Sequence, residues 1–523
     1  MAIAEVAVER GEFRNEPFLD YTKPENRAAM QAALAKVKSQ FGRDYPIIIG
    51  AERITREKKI SSHNPSRPAE LIGTFSEGTA DDANRAVDVA HKAFESWRHV
   101  PVEERAGLLF RTAEVIRKNK HEFNAWICYE AGKTWPEADA DTAETIDFLE
   151  FYAREMLRLG HPQPLVPYQN EKNYLVYIPL GVGAVIPPWN FPCAIMAGLV
   201  MAAVVAGNTV VLKPSSDTPA IAHKFIEAAF EAGMPAGVVN CVVGRGSVVG
   251  DSLVANSKTR FIGFTGSKEV GLHIQEVASK TQPGQLWIKR TVLEMGGKDA
   301  IVVDDEADVD SAVEGVAVSA FGYQGQKCSA CSRAIVAEKV YDQFLAKLVE
   351  RVKKIKVGAA DDPANYMGPV INKGAMKTIQ DYIEVGKKEG RLVAGGGHAG
   401  GDGYFLEPTV IADLAPRSRL AQEEIFGPVL AVIKARDFNH ALEIANDSEF
   451  GLTGALYSKN PEKLERARES FHVGNLYLNR KCTGAMVGAH PFGGFNMSGT
   501  DSKTGGKDYL LLFLQAKTIA EKV

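Results

Sequence analysis

The stretch Gly325-Gln-Lys-Cys-Ser-Ala-Cys-Ser332 holds two cysteines in a polar, glycine-bounded turn. Three chemical readings apply. As a thiolate, Cys328 is a nucleophile that can attack a carbonyl carbon and later leave from a thioester. With Cys331 it forms a Cys-x-x-Cys pair, which is redox-active or half of a zinc site. The third reading is a buried free thiol, the one adopted for Cys128, Cys193 and Cys241. A closed zinc site needs about four ligands. The chain offers no second such pair and no His-rich partner motif, so no metal is called for. Glu294 stands in Leu-Glu-Met-Gly-Gly-Lys, between apolar residues and a Gly-Gly turn. An isolated Glu is usually solvated, but this setting points to partial burial and the raised pKa that suits a general base. Asn190, in Pro187-Pro-Trp-Asn-Phe-Pro192, is either an amide donor for an oxyanion or a turn-former beside proline.

Two glycine turns suggest a nucleotide. Gly244-Arg-Gly-Ser-Val-Val-Gly250 and Gly263-Phe-Thr-Gly-Ser267 each end an apolar run and open a helical one. Glycines there let backbone N–H groups approach phosphate at a helix start. The first turn is one residue longer than the standard dinucleotide fingerprint, so alone it is also read as a tight strand-to-helix turn. Neither a Gly-x-Ser-x-Gly elbow nor a Walker A sequence occurs.

Positioning such residues requires alternating strands and helices. From Gly183 onward the runs Gly183–Pro187, Thr209–Lys213, Val238–Val243 and Arg260–Thr265 read as buried strands. Helical stretches near Ala194–Ala206, Ala220–Ala232 and Val248–Ala255 separate them. That pattern implies a parallel sheet with right-handed crossovers, a doubly wound α/β architecture. A second series opens at Asp299–Val303, follows the helix Val309–Phe321, and continues through Ala334–Val336, Pro428–Ile433 and Leu452–Tyr457. Gly395–Gly403 reads as a turn between strands. The first part of the chain reads as helical, over Ala28–Phe41, Ala83–Trp97, Ala106–Ile116 and Ile146–Leu157, with a strand at Tyr174–Pro179.

At 523 residues the chain exceeds one hydrophobic core. A net charge of −4 leaves no basic footprint for nucleic acid. No apolar run is long enough for a membrane span. Acidic residues interrupt the N-terminal MAIAEVAVERGEFRNEPF, which matches neither a secretory signal nor a transit peptide. Six cysteines are few for the length and suit a reducing compartment; the cytoplasm is the expected location.

Six segments resemble the aldehyde dehydrogenase superfamily, and in its order: Pro188-Trp-Asn-Phe-Pro192, Phe264-Thr-Gly-Ser267, Leu293-Glu-Met-Gly-Gly297, Gly325-Gln-Lys-Cys328, Glu423-Glu-Ile-Phe-Gly-Pro428 and Pro491-Phe-Gly-Gly494. Phe13-Arg-Asn-Glu-Pro17, Phe471-His-Val-Gly-Asn475, Lys481-Cys-Thr-Gly-Ala-Met-Val-Gly488 and Pro491–Thr500 resemble more closely the branch that acts on glutamate γ-semialdehyde, the open form of 1-pyrroline-5-carboxylate. The resemblance implies an α/β fold of three parts. These are a Rossmann-type NAD(P)-binding domain over 1–293, interrupted near 161–180, a catalytic domain over 294–480, and an oligomerisation flap from 161–180 and 495–523. It implies oxidation of the semialdehyde to glutamate in proline catabolism, in a homodimer or higher homo-oligomer. In some organisms this activity is fused to a proline dehydrogenase; this chain is expected to carry the one activity.

By the same resemblance, Cys328 is the nucleophile, Glu294 the base that activates water, and Asn190 an oxyanion donor together with the Cys328 backbone N–H. The cofactor residues are Trp189, Lys213, Ser216, Gly246, Gly266, Ser267, Glu424 and Phe426. Ser216 stands where many NAD-preferring relatives carry Glu, whose carboxylate repels a 2′-phosphate, so NADP is expected to be accepted beside NAD. Ser329, Thr483, Gly484 and Ala485 match the carboxylate anchor, Phe492 packs on the aliphatic chain, and Glu144 meets the substrate ammonium or is a solvated helix charge. The competing readings are another aldehyde dehydrogenase, a non-catalytic protein of the same fold, and a thiol-redox or zinc protein built on Cys328 and Cys331.

Overall fold

The structure is a computed structural model and describes residues 11–523. Most of the N-terminal stretch read above for signal character lies outside the described residues. Two seven-stranded sheets organise the rest. In the first, the strands Val182–Ile186, Thr209–Leu212 and Val239–Cys241 are buried at every position, as befits strands covered on both faces by crossover helices. The spatial order is Arg290–Glu294, Thr259–Thr265, Val182–Ile186, Thr209–Leu212, Val239–Cys241, Ile47–Ile49, Glu52–Ile54. The first five are parallel, and the last two extend the edge antiparallel. The second sheet runs Arg391–Ala394, Thr409–Ala412, Val429–Ala435, Arg333–Ala337, Ala300–Val303, Thr453–Tyr457, Asn475–Leu478. It is parallel except for the edge strand Arg391–Ala394.

The helix Ala194–Val205 is apolar on every side and packs against the long helix Trp135–Leu159. Between them, Asp141 accepts from the Ala194 N–H at 2.8 Å and from Lys133 Nζ at 2.9 Å. Lys133 and Asp141 are both fully buried, so each carries the counter-charge without which the other would be strongly destabilising.

The first part of the chain is not wholly helical. Residues 43–76 form a three-stranded sheet, Arg43–Tyr45, Arg67–Ser76 and Lys59–Asn64, and supply the two antiparallel edge strands of the first large sheet. Their period-2 signal is faint because the strands are short or polar: in Lys-Ile-Ser-Ser-His-Asn only Ser62 and Asn64 are buried. Glu294 ends a strand of its own, Arg290–Glu294, ahead of the strand Ala300–Val303. The strand Glu171–Pro179 pairs antiparallel with Leu514–Lys522 as a ribbon, and Gln163 bridges to Leu175.

The connections place the chemistry. Pro187–Pro192, Lys213–Asp217, Gly244–Gly250 and Gly266–Ser267 all leave the carboxyl ends of parallel strands in the first sheet, where open α/β sheets bind ligands. Cys328 and Glu424–Phe426 lead into the amino ends of Arg333–Ala337 and Val429–Ala435 in the second.

Candidate active site

After the helix Val309–Phe321 the chain turns through Gly322–Gly325, with Tyr323 (φ 51°), Gln324 (φ 56°) and Gly325 (φ 67°) in the left-handed region. Such backbone costs about 1–3 kcal/mol per non-glycine residue and persists only where neighbours over-determine it. Here Tyr323 donates to the Ala131 carbonyl at 3.1 Å, and Gln324 Nε2 donates to Gly132 at 3.0 Å and Pro369 at 2.6 Å. A Cβ on Gly325 would lie 2.3 Å from the Gly427 carbonyl oxygen, so only glycine permits this approach. The turn delivers Cys328 half-exposed, whereas Cys331 and Cys482 point into the core. Both of those cysteines are tethered to Ser319: the Cys331 N–H donates to its carbonyl at 3.1 Å, and the Cys482 N–H to its hydroxyl at 3.2 Å. The acidic trio Asp304, Asp305 and Glu306 is bridged by Lys463 Nζ, at 2.8, 2.8 and 3.0 Å.

Asn190 is buried, and its Nδ2 donates to the Gln326 carbonyl at 3.0 Å. One amide proton fixes the side chain against the cysteine loop and leaves the second to donate. Glu294 is also buried, with Oε1 accepting from the Ser502 hydroxyl. Burial pushes its carboxyl up to about 8, against a smaller lowering by Ser502 and Lys503. The Cys328 thiol is pushed up as well, first by burial and then by the neighbouring carboxyl groups of Asp299, Glu424 and Glu294.

Two cavities meet at Cys328. The larger, about 740 Å³, is lined by Trp189, Asn190, Lys213, Ser216, Gly246, Gly266, Ser267, Glu424 and Phe426, so the structure gathers every residue of the expected cofactor set. Its donors fit a dinucleotide. Among the described residues, buried Lys213 Nζ bonds only to the Pro214 carbonyl, at 3.2 Å, and burial lowers its ammonium to about 8, leaving N–H groups for ribose hydroxyls. Glu424 Oε1 accepts from the Gly297 N–H at 2.9 Å, which leaves Oε2 for a second ribose. Ser267 caps the helix Lys268–Ser279, whose N-terminus favours phosphate. Trp189 and Phe426 meet edge to face with centroids 5.5 Å apart. Asp217 also lines this cavity, beside Ser216; sequence reasoning passed over it.

The smaller cavity, about 380 Å³, is lined by Cys328, Glu294, Ser329, Thr483, Gly484, Ala485, Phe492 and Glu144, the whole expected substrate set. Glu144 is not a solvated helix charge: it is half-buried, and burial raises its carboxyl to about 8. Lys327 and Lys481 line the cavity too and were not singled out from sequence. Lys327 is paired with Glu137 at 2.9 Å. Both lysines flank motif residues, and their charges were the signal that could have been used. Thr265, Met295 and Cys328 border both cavities.

The aldehyde dehydrogenase family model matches residues 53–519. The chain belongs to the aldehyde dehydrogenase family. It is 57% identical over 509 residues to a 1-pyrroline-5-carboxylate dehydrogenase of Geobacillus thermodenitrificans, covering 97% of this chain and 99% of that one. The Geobacillus kaustophilus enzyme of the same name matches at the same identity and coverage. Among solved structures of the family, a 1-pyrroline-5-carboxylate dehydrogenase from Thermus with bound NAD superposes with a TM-score of 0.97 at 50% identity, over 98% of this chain and 99% of that one. A betaine aldehyde dehydrogenase from Staphylococcus aureus in complex with NAD+ superposes with a TM-score of 0.88 at 31% identity, over 94% and 97%. The aldehyde dehydrogenase fold is thereby established for the two sheets described above. Among the described residues, no helix is long and apolar enough to cross a membrane.

Proposed function

We propose that this chain oxidises L-glutamate γ-semialdehyde to L-glutamate with reduction of NAD. The observation that carries the reading is the smaller cavity. Cys328 is among its lining residues together with an anion-binding set (Ser329, Thr483, Gly484, Ala485, Lys481) and a carboxyl group, Glu144. That combination suits an aldehyde with a remote carboxylate and ammonium, and the names of the Geobacillus relatives agree with it.

The chemistry follows from the residues. Cys328 gives up its thiol proton to solvent and attacks the aldehyde carbon as the thiolate, and the oxygen gains negative charge beside the second Asn190 amide proton and the Cys328 N–H. The larger cavity would hold the oxidised nicotinamide dinucleotide through Lys213, Ser267 and Glu424, and when bound it would supply the hydride acceptor. Loss of hydride leaves a thioester on Cys328. Glu294 takes a proton from water, the hydroxide adds to the thioester, and the thiolate leaves. Glu294 must be a carboxylate for this, so deacylation is favoured as pH rises through about 8.

We further assign 1–293, interrupted near 161–180, to cofactor binding, 294–480 to catalysis, and 161–180 with 495–523 to an oligomerisation flap. The strand Leu514–Lys522 is exposed at seven of its nine positions, and Val166, 88% exposed, and Tyr168, 71% exposed, fall within 161–180, which suits a homo-oligomeric contact. Cytoplasmic location and use of NADP beside NAD belong to the same reading.

The test compares kcat/KM for glutamate semialdehyde and propanal by NADH absorbance. A preference on the order of 10²-fold for the semialdehyde is expected from two or three hydrogen bonds to its charged groups, after part is lost to desolvation. Equal efficiency on the two would reject the reading.

A further inference from the structure

Glu294 has one carboxylate oxygen held and one unpartnered. Oε1 accepts the Ser502 hydroxyl, while Oε2 is buried with no hydrogen-bond partner among the described residues. Both residues are rigidly mounted. The Met295 N–H donates to the Ser498 carbonyl at 2.8 Å, and Thr500 N–H to Leu293 at 3.0 Å, so the strand bearing Glu294 is laced to 498–500. On the other side Phe492 and Thr504 exchange N–H···O bonds at 2.8 Å. Lys503 Nζ donates to the Gly474 and Gly493 carbonyls, each at 2.6 Å. There is no room for a side chain at Gly493: a Cβ there would lie 1.6 Å from the Ser502 carbonyl oxygen and 3.1 Å from Glu294 Oε1. A Cβ on Gly499 would lie 3.3 Å from Oε2. Ser502 is itself buried, and its hydroxyl donates to Glu294.

We propose that Ser502 is a positioning residue for thioester hydrolysis, anchoring one oxygen of Glu294 so that the other is presented to the hydrolytic water. The serine touches neither substrate nor cofactor in this role; it acts through the base. Its hydroxyl also favours the charged carboxylate, since a donor to an anion stabilises the anion. Removing it therefore has two effects: Oε1 loses its tether, and the base ionises at higher pH. Neither removes a group that takes part in the attack by Cys328 or the departure of hydride, which precede the need for a base at the water. The inference rests on the proposed role of Glu294 but not on the identity of the aldehyde.

The experiment is pre-steady-state NADH formation by Ser502→Ala in the full-length chain with NAD, run with glutamate semialdehyde and again with propanal. The expected result is a burst with the amplitude and rate of the unmodified enzyme, then a steady-state rate lower by about tenfold or more, the scale of one lost hydrogen bond to a charged group. The acid limb of the steady-state pH profile should move to higher pH, and Ser502→Thr, which keeps the hydroxyl, should restore both. An intact burst with an unmoved limb and undiminished turnover would overturn the proposal. So would a burst lost in parallel with turnover in Ser502→Ala while Ser502→Thr is normal, since that pattern marks a purely structural serine. If the unmodified enzyme turns over propanal but not the semialdehyde, the substrate reading fails while the propanal arm still decides the role of Ser502.

Discussion

Replacing Ser329 by alanine isolates the carboxylate anchor from the chemistry. Ser329 is next to the nucleophile, 8% exposed, and lines the smaller cavity. Its backbone is held independently of its hydroxyl: the carbonyl accepts from Thr453 Oγ1 at 3.5 Å and from the Cys482 thiol at 3.4 Å. Cys328 should therefore stay in place. What is lost is one hydrogen bond to the substrate carboxylate, about 1.5–3 kcal/mol. At about 1.4 kcal/mol per factor of ten, kcat/KM for glutamate semialdehyde should fall by about 10- to 150-fold. Propanal has no carboxylate to anchor, so its kcat/KM should stay within about twofold of the unmodified value, because a binding interaction it never made cannot be withdrawn. The assay is initial-rate NADH absorbance with both aldehydes at saturating NAD. Equal losses on the two would refute the reasoning, since they would place Ser329 in the chemistry or the fold rather than in substrate recognition.

Cys328→Ala should abolish aldehyde oxidation, whereas Cys331→Ala, which alters a core thiol, should keep most of it in the same assay. Glu294→Gln should give one burst of NADH and then stall; an undiminished steady-state rate would assign the water to another group. In the unmodified enzyme kcat should fall as pH drops below about 8, because burial holds the Glu294 carboxyl near that value and protonation removes the base. NADP should support turnover below that with NAD, and Ser216→Glu should weaken NADP more than NAD in paired kcat/KM measurements, because the new carboxylate faces the 2′-phosphate.

Much of this was legible in the chain because it is local. The strands flanking the cofactor cavity are largely apolar runs, broken by Arg260 in Thr259–Thr265, and the glycine turns sit where those runs stop. Cys328, Glu294 and Asn190 each stand in a short segment bounded by glycine or proline, which marks a turn whatever the fold. What escaped was non-local. Ser502 lies in a polar stretch, and its contact with Glu294 spans 208 positions. The edge strands in 43–76 are too short to show alternation. Glu144 reads equally well as a surface charge, since nothing near it in sequence reveals that the helix Trp135–Leu159 is covered along most of its length and opens there into a cavity.

The central claim is that substrate is oxidised while covalently attached to Cys328, and the acyl-enzyme itself can be weighed. Glu294→Gln mixed with NAD and glutamate semialdehyde should be quenched in acid after one burst; the acid protonates the α-amine and so stops it from expelling the thiol. Intact-mass and peptide analysis should then find the chain heavier by one glutamyl group, attached to the peptide holding Cys328 and absent when that cysteine is alanine. NADH formed in the burst with no adduct, or with the adduct surviving Cys328→Ala, would contradict the account.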